Sequence, residues 1–154
     1  MAKKILVIGR QDVIDLPGLG LEEIEAKIDT GAYTSAINCS RVKVTTSNNV
    51  KELTFYLSGS KIHEKRARKF KTTDFRKRKI KSSNGQIEER YVIRTTAVIF
   101  GKRHRMEFSL SDRSKMKFPI LLGRKLLTGR YLVDVSKKNL SYKEKRRNAN
   151  SSTV

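Results

Sequence analysis

The chain has 154 residues, 37% of them hydrophobic, which is enough for one domain with its own core but not for a second large domain. Lys and Arg number 35 against 15 Asp and Glu, so the net charge is +20. No apolar run reaches the roughly 18 residues that a membrane span needs, and the short apolar stretch near the start does not fit a signal peptide. The single cysteine, Cys39, excludes an internal disulfide, and we expect a cytoplasmic protein without membrane contact.

The positive charge is concentrated in the second part of the chain. Residues 1–60 hold seven basic and seven acidic residues, so residues 61–154 carry the whole excess. Much of it lies in a basic insert, residues 59–81, and in a basic, polar tail, residues 136–154, which we expect to be flexible. Such runs fit a solvated surface, attraction of an acidic substrate, or binding of nucleic acid through its phosphates.

Apolar and polar residues alternate over short segments, which is typical of half-buried strands. In chain order the predicted strands are residues 4–8, 23–28, 41–46, 53–57, 91–100, 105–110 and 131–135. Turns are predicted at 17–20, at Asn84-Gly85, which favours a hairpin, and at 100–102, and the only predicted helix is 124–128. The pattern indicates an all-β protein, mainly antiparallel with one short helix, folded as a small barrel or sandwich.

The predicted strand 23–28 runs directly into Asp29-Thr30-Gly31-Ala32. This places Asp29 at a strand end where a turn begins, and the glycine two residues later lets the backbone approach whatever the carboxylate touches. Taken alone, Asp-Thr-Gly also fits an ordinary turn. About ninety residues later, Phe-Pro-Ile-Leu-Leu-Gly-Arg-Lys-Leu-Leu (118–127) leads into the predicted helix.

Together these two segments, with the Asn-Gly hairpin between them, resemble the retropepsin-like aspartic endopeptidases, which are related to retroviral-type proteases. The best match is the bacterial and archaeal family long labelled ATP-dependent zinc proteases, whose pattern Ile-Asp-Thr-Gly-Ala-x-Thr-Ser-Ala is Ile28 to Ala36 here. The resemblance covers roughly residues 22 to 135. It implies a closed β-barrel of the acid-protease type, in a domain over residues 1–135.

The resemblance also implies the catalytic group. In this family Asp-Thr-Gly-Ala carries the catalytic aspartate, here Asp29, and the mechanism uses two carboxylates that share one proton. Because the chain holds one Asp-Thr-Gly, the implied enzyme is a homodimer with one Asp29 from each subunit. Thr30 would lock the two loops together, and Gly31 and Ala32 would offer backbone groups to the substrate or to the carboxylates.

Two further segments take roles from the same resemblance. The hairpin at Ser83-Asn84-Gly85 would be a flap that covers the substrate, and Gly123-Arg124 would support the active-site loop. In retroviral enzymes an Asp after Asp-Thr-Gly-Ala pairs with this Arg, but Tyr33 stands there in this chain. The sequence therefore predicts a structural role for Arg124 and leaves its partner open.

The zinc and ATP of the family label find no support in the residues. There is no His-Glu-x-x-His and no phosphate-binding Gly-rich loop, and His63, His104 and Cys39 are a poor ligand set among so many cations. We expect no metal and no cofactor. The label instead suggests a functional link to ATP-grasp ligases, which add amino acids such as glutamate to proteins or peptides.

Two functions from different classes follow. The first is an aspartic endopeptidase that acts as a homodimer on a peptide or protein, and the positive charge suggests acidic or glutamate-rich substrates. The alternative is a non-catalytic basic module on the same fold that binds nucleic acid or an acidic protein. Phe70 and Phe75 inside the basic insert are a weak sign of base stacking, although no known nucleic-acid motif surrounds them.

Overall fold

The computed structural model describes residues 4–57, 68–81, 84–112 and 117–152. The strands are β1 (Leu6–Ile8), β2 (Gln11–Leu16), β3 (Leu21–Ile28), β4 (Ser35–Asn38), β5 (Ser40–Ser47), β6 (Val50–Leu57), β7 (Arg68–Thr72), β8 (Phe75–Lys81), β9 (Ile87–Ile99), β10 (Lys102–Ser111), β11 (Ile120–Leu122) and β12 (Tyr131–Val133). The helices are α1 (Arg124–Leu127) and α2 (Leu140–Ser152), with a 3-10 turn at Pro17–Leu19. In the ranges described, no helix is both long and apolar enough to span a membrane.

Seven strands form the main sheet, in the order β10-β4-β11-β3-β2-β9-β8, and β9 also pairs with β10. The pairing therefore runs in a cycle through six strands, with β8 attached to β9 outside it. A second sheet has the order β5-β6-β7, and β1 pairs with β12 in a parallel ribbon. Most pairs are antiparallel, so the prediction of a mainly antiparallel β protein is confirmed.

The core lies where the apolar faces of these strands meet. Along β3, Ile24, Ala26 and Ile28 are buried while the residues between them are exposed, as the alternating pattern predicts. Phe55 from β6 and Phe108 from β10 are among the largest fully buried side chains, so both sheets contribute to one core. The removal of these apolar side chains from water is the main driving force for folding.

All seven predicted strands overlap observed ones. The sequence pattern missed β2, β4, β7, β8 and β11. Two of the predicted turns join antiparallel strands as hairpins. In the β9–β10 hairpin, Phe100 and Gly101 both have positive φ (52° and 69°), as in the two-residue turn that matches the twist of paired strands. In the β8–β9 hairpin, which contains Asn84-Gly85, Lys81 lies opposite Ile87.

The basic insert and the tail both contain regular structure that the sequence analysis did not predict. Residues 58–67 of the insert region lie outside the described residues, but residues 68–81 contain all of β7 and all of β8. The tail was predicted to be flexible, whereas Leu140–Ser152 form α2. The buried carboxylate of Asp12 accepts hydrogen bonds from the backbone N–H groups of Ser141 (2.9 Å) and Tyr142 (3.1 Å), so a residue on β2 caps this helix.

The two aromatic residues of the insert are half-buried and pack against the core. Phe70 stacks on Phe55 with ring centroids 5.4 Å apart, and Phe75 meets the edge of Tyr91 at 5.8 Å. Their ring contacts with neighbouring strands account for their place in a basic sequence, so they give no support to base stacking.

Candidate active site

Asp29 lies at the carboxyl ends of two buried parallel strands. β11 pairs with β3 so that Leu122 lies opposite Ile28, and the backbone N–H of Asp29 donates to the carbonyl oxygen of Leu122 at 2.9 Å. Ile28 and Leu122 are both buried, whereas Asp29 is half-buried. The sheet thus fixes the backbone of Asp29 rigidly while its side chain stands at the surface.

The loop after Asp29 turns back onto its carboxylate. The N–H of Gly31 donates to Oδ1 of Asp29 at 3.0 Å, and the N–H of Ala32 donates to the Asp29 carbonyl at 3.3 Å. A Cβ atom at position 31 would lie 3.3 Å from that carboxylate oxygen, which is a tight contact. Because glycine has no Cβ atom, the backbone N–H at position 31 can approach the Asp29 carboxylate and fix its orientation.

The Gly123-Arg124 segment packs directly beneath this loop. A Cβ atom on Gly123 would come within 2.6 Å of the Tyr33 carbonyl oxygen, so no larger residue fits without a backbone shift. The N–H of Gly123 donates to the buried Ser35 Oγ at 3.0 Å, and the N–H groups of Arg124 and Lys125 donate to the carbonyls of Ala32 (2.8 Å) and Tyr33 (3.0 Å). The first turn of α1 therefore satisfies two carbonyl groups of the Asp29 loop.

The structure supplies the partner of Arg124 that the sequence left open. Its Nη1 donates to the carbonyl oxygen of Thr30 at 3.0 Å, and its Cζ lies 5.9 Å from the centre of the Tyr33 ring. Tyr33 thus contacts the arginine through its ring face, at the position where retroviral enzymes carry an aspartate. Asp29, Thr30, Gly31, Ala32, Gly123 and Arg124 are thereby brought into one cluster.

Two of the predicted flap residues, Asn84 and Gly85, lie on the β8–β9 hairpin. Asn84 accepts a hydrogen bond from the N–H of Gln86 at 3.1 Å through its side chain, and Gly85 has φ of 88° with open space around it. Ser83 lies outside the described residues. The role of this hairpin as a cover for substrate stays a prediction.

A cleft that the sequence analysis missed is lined in part by residues of α1. It has a volume of about 610 Å³, and Asp29 is not among its lining residues. Among the described residues, seven basic side chains from several elements line it: Lys4, Arg94, Lys102, Arg103, Arg105, Lys125 and Arg130. The run Lys102-Arg103-His104-Arg105 was the available signal, but the cleft depends on residues from distant parts of the chain.

His104 and Tyr131 form a hydrogen-bonded pair in this cleft, with His104 Nε2 3.0 Å from Tyr131 Oη. Burial lowers the pKa of His104, and the nearby cations Arg130 and Lys102 lower it further. Burial raises the pKa of Tyr131 to about 12. The pair is therefore uncharged near neutral pH, and the positive charge of the cleft comes from Lys and Arg alone.

The zinc of the family label finds no fitting site among the residues that the structure describes. Within the part of the chain that is described, no three or more His, Cys, Asp or Glu residues cluster closely enough to hold a metal ion. Cys39 is buried, and its burial raises the pKa of the thiol to about 12, so it is a neutral core residue rather than a thiolate ligand.

Comparisons with known proteins identify the family of this chain. A family model described as RimB-like, retropepsin-like aspartic endopeptidase RimB, matches residues 7–144. A protein of Shewanella halifaxensis named probable alpha-L-glutamate ligase is 32% identical over 136 residues, which is 88% of this chain but 30% of that protein. One of the same name from Desulfotalea psychrophila is 33% identical over 134 residues, covering 87% of this chain and 28% of that protein.

A solved structure shares the fold. It is a Legionella pneumophila protein described as having unknown function, with a TM-score of 0.68 and 18% identity. The match covers 90% of this chain and 99% of that one. At this identity the likeness concerns the fold alone.

Proposed function

The chain belongs to the RimB-like family of retropepsin-like aspartic endopeptidases, and on this premise we propose that it hydrolyses peptide bonds as a homodimer. One observation carries the proposal: the Asp29 carboxylate is held by the Gly31 N–H at the ends of two buried strands. The Gly123-Arg124 segment braces the same loop. This arrangement presents one carboxylate at the surface in a fixed orientation. Such a carboxylate can pair with Asp29 of a second subunit.

In the proposed reaction the two Asp29 carboxylates of the dimer share one proton. The ionised carboxylate takes a proton from a water molecule, whose oxygen bonds to the carbon of the scissile peptide. The protonated carboxylate gives its proton to the carbonyl oxygen, forming a tetrahedral intermediate. The intermediate collapses as the C–N bond breaks, the amine nitrogen gains a proton, and one proton remains between the carboxylates.

The surface around Asp29 supports a twofold contact. Thr30 and Gly31 are exposed, and Tyr33 keeps 55% of its surface accessible although it is a large hydrophobic residue beside the loop. An exposed loop that carries half of a two-carboxylate site can be completed by the same loop of a second copy. In this dimer the hairpin at Asn84-Gly85 would cover the substrate and exclude water. We also propose that the cycle of six paired strands forms the closed barrel of this protein class.

The proposed substrate is a glutamate-rich peptide. The relatives named probable alpha-L-glutamate ligase are about three times as long as the matched segment, so a region like this chain accompanies further sequence in those proteins. A ligase of that class makes glutamyl peptide bonds, and a chain with net charge +20 attracts such acidic products. The proposed role, in the cytoplasm, is to cleave the peptides that such a ligase extends.

The basic cleft favours one alternative function. Its seven Lys and Arg side chains lie apart from Asp29, so they could bind nucleic acid or an acidic protein without any reaction. In that case Asp29 would be dispensable and the charged residues of the cleft essential. The two functions are therefore separated by the effect of a single substitution at Asp29.

The test is cleavage of a peptide pool that includes glutamate-rich members, read by mass spectrometry, for the wild type and Asp29→Asn. The matched control is Asp74→Asn, the same change at an exposed aspartate on the β7–β8 turn. The proposal expects cleavage by the wild type and by Asp74→Asn, and none by Asp29→Asn. Cleavage that survives Asp29→Asn, or no cleavage by a folded wild-type dimer, would contradict it.

A further inference from the structure

We infer that the basic cleft binds an extended acidic peptide segment, which adds as a strand to the open edge of β10. The inference deepens the proposed function and rests on it for treating this peptide as a substrate. It concerns a site apart from Asp29, and its binding can be measured without any cleavage.

The first observation is the edge itself. β10 pairs with β9 along Lys102–Ser109, but β4 pairs with it only from Phe108 onward. In the described ranges, no strand pairs with 102–107 on the side away from β9. An edge of this kind presents a row of backbone N–H and C=O groups, and six residues of strand extend over roughly 20 Å. A peptide in extended conformation could satisfy them.

The second observation is the charge beside this edge. Arg103 and Arg105 are exposed on the edge segment, and Lys125 and Arg130 line the cleft from around α1. Glu107, the one acidic side chain among the lining residues that the structure describes, already makes an ion pair with Arg78 at 2.9 Å. Such an edge repels a second copy of itself and attracts a strand that carries carboxylates, to which arginine can bind in a bidentate manner.

The third observation is the floor of the cleft, which is apolar or uncharged. Leu126 and Tyr131 are buried there, Met106 is half-buried, and His104 is kept neutral by burial and by neighbouring cations. Tyr131 is only 7% exposed, so it offers no open face on which a base could stack. A nucleic acid also lacks a backbone of regularly spaced amide groups that could pair along a strand edge, so a peptide is the ligand that uses both the edge and the charge.

The cleft and the Asp29 loop share a structural neighbour. Ser35 lines the cleft and accepts the N–H of Gly123, while Lys125 lines the cleft and donates its backbone N–H to Tyr33. A peptide held in the cleft would therefore contact the helix that braces the catalytic loop. Acidic residues remote from the scissile bond could then increase substrate affinity without touching the carboxylates.

The experiment measures binding of a fluorescent eight-residue glutamate peptide to full-length Asp29→Asn protein by anisotropy. Into this background we place Arg103→Glu with Arg105→Glu, and as the matched control Lys43→Glu with Lys51→Glu, two exposed lysines of the β5–β6 sheet. We expect the cleft pair to weaken binding about tenfold or more and the control pair less than about threefold. Circular dichroism and thermal melting confirm that both variants fold.

A second experiment uses the Asp29→Asn protein with no further substitution and a peptide of the same sequence with methylated backbone nitrogens. Methylation keeps every carboxylate but removes the N–H donors, so we expect binding about tenfold weaker. If the cleft pair and the control pair weaken binding equally, the peptide does not bind in the cleft. If methylation leaves the affinity unchanged, the peptide does not add as a strand. Displacement of the peptide by a lower concentration of a single-stranded oligonucleotide of equal charge would indicate a nucleic-acid site instead.

These outcomes are separable from those of the proposed function. Cleft-specific binding of the peptide together with no cleavage by wild-type protein would retain this inference and remove the endopeptidase. Asp29-dependent cleavage together with no cleft-specific binding would do the reverse.

Discussion

Arg124 donates a hydrogen bond from its guanidinium to the carbonyl oxygen of Thr30, 3.0 Å away, across 94 positions of sequence. The contact joins the start of α1 to the middle of the Asp29 loop. Because the acceptor is a backbone atom, it fixes the path of the chain at Thr30 whatever side chain stands there. Arg124 is thus a positioning residue for the proposed carboxylate and does not touch the reacting atoms.

The first prediction concerns this contact. Arg124→Met removes the hydrogen bond and the charge over Tyr33 but keeps most of the aliphatic stem. We expect kcat to fall about tenfold or more, because small displacements of a catalytic group are costly, while KM changes little. Arg41→Met is the matched control, since Arg41 lies 5.5 Å from the Tyr56 ring on the β5–β6 sheet, and kcat should be unchanged. Equal kinetic losses in the two variants would contradict the positioning role.

The second prediction concerns the space at Gly123. Gly123→Ala would put a methyl group 2.6 Å from the Tyr33 carbonyl oxygen and 2.9 Å from that of Ala32, so the backbone must move. We expect the free energy of unfolding to fall by about 1–3 kcal/mol, with activity lost, measured by urea denaturation and peptide cleavage. Gly101→Ala is the comparison, because Gly101 has open space but a positive φ of 69°. It should show a strain cost near 1 kcal/mol and retain activity.

The local part of this site could be predicted from sequence. The alternation over 23–28 determines where β3 ends, and therefore that Asp29 begins a loop. The apolar run before Gly123 and the short helix after it are equally local. The partner of Arg124 could not be predicted, because a backbone carbonyl leaves no mark in the sequence.

The elements that sequence missed share a physical cause. Most residues of β7 and β8 are Lys or Arg, so apolar and polar residues hardly alternate along these two strands. Their pairing with β6 and β9 therefore determines them, rather than a hydrophobic pattern in their own sequence. Helix α2 has few apolar residues, and its N-terminal cap comes from Asp12, 129 positions away from Ser141. The basic cleft is likewise assembled from β1, β10, α1 and β12, which no local window of sequence contains.

The third prediction concerns Asp12, which caps α2. Burial raises the pKa of this carboxyl above its ordinary value of 3.8, and the N–H groups of Ser141, Val13 and Tyr142 only partly offset that effect. The folded state therefore holds this proton more tightly than the unfolded chain. The contribution of Asp12 to the free energy of unfolding should fall as the pH rises from about 3.8 through its raised pKa.

Asp12→Asn removes this titration and replaces one acceptor oxygen by an amide. At pH 7 we expect a loss of about 1 kcal/mol, from the broken cap, together with weaker helical circular dichroism. In urea denaturation, the free energy of unfolding of the wild type should exceed that of Asp12→Asn by more at pH 4 than at pH 7. Asp74→Asn serves as the exposed control, and a larger difference at pH 7 would show that the direction assigned to Asp12 is wrong.

The fourth prediction concerns His104 as a reporter of the cleft. In the free protein its pKa should lie below the ordinary 6.5, because burial and the cations Arg130 and Lys102 disfavour the charged ring. Carboxylates bound beside it favour the charged ring, so the eight-residue glutamate peptide should raise this pKa in an NMR titration. By linkage, the peptide should bind more tightly as the pH falls through this range. A pKa of His104 unmoved by saturating peptide would place the bound carboxylates elsewhere.

The last prediction concerns the shared site of the proposed dimer. If each active site needs Asp29 from both subunits, Asp29→Asn protein should inhibit the wild type by forming mixed dimers that hold one carboxylate. With equal amounts and complete subunit exchange, activity per wild-type subunit should fall to about half, since only about a quarter of the dimers carry both carboxylates. Asp74→Asn in place of Asp29→Asn should add its own activity and cause no inhibition. Activity per wild-type subunit that stays constant at every mixing ratio, with exchange verified by mass spectrometry, would mean that one Asp29 suffices, and the two-carboxylate mechanism would then fail.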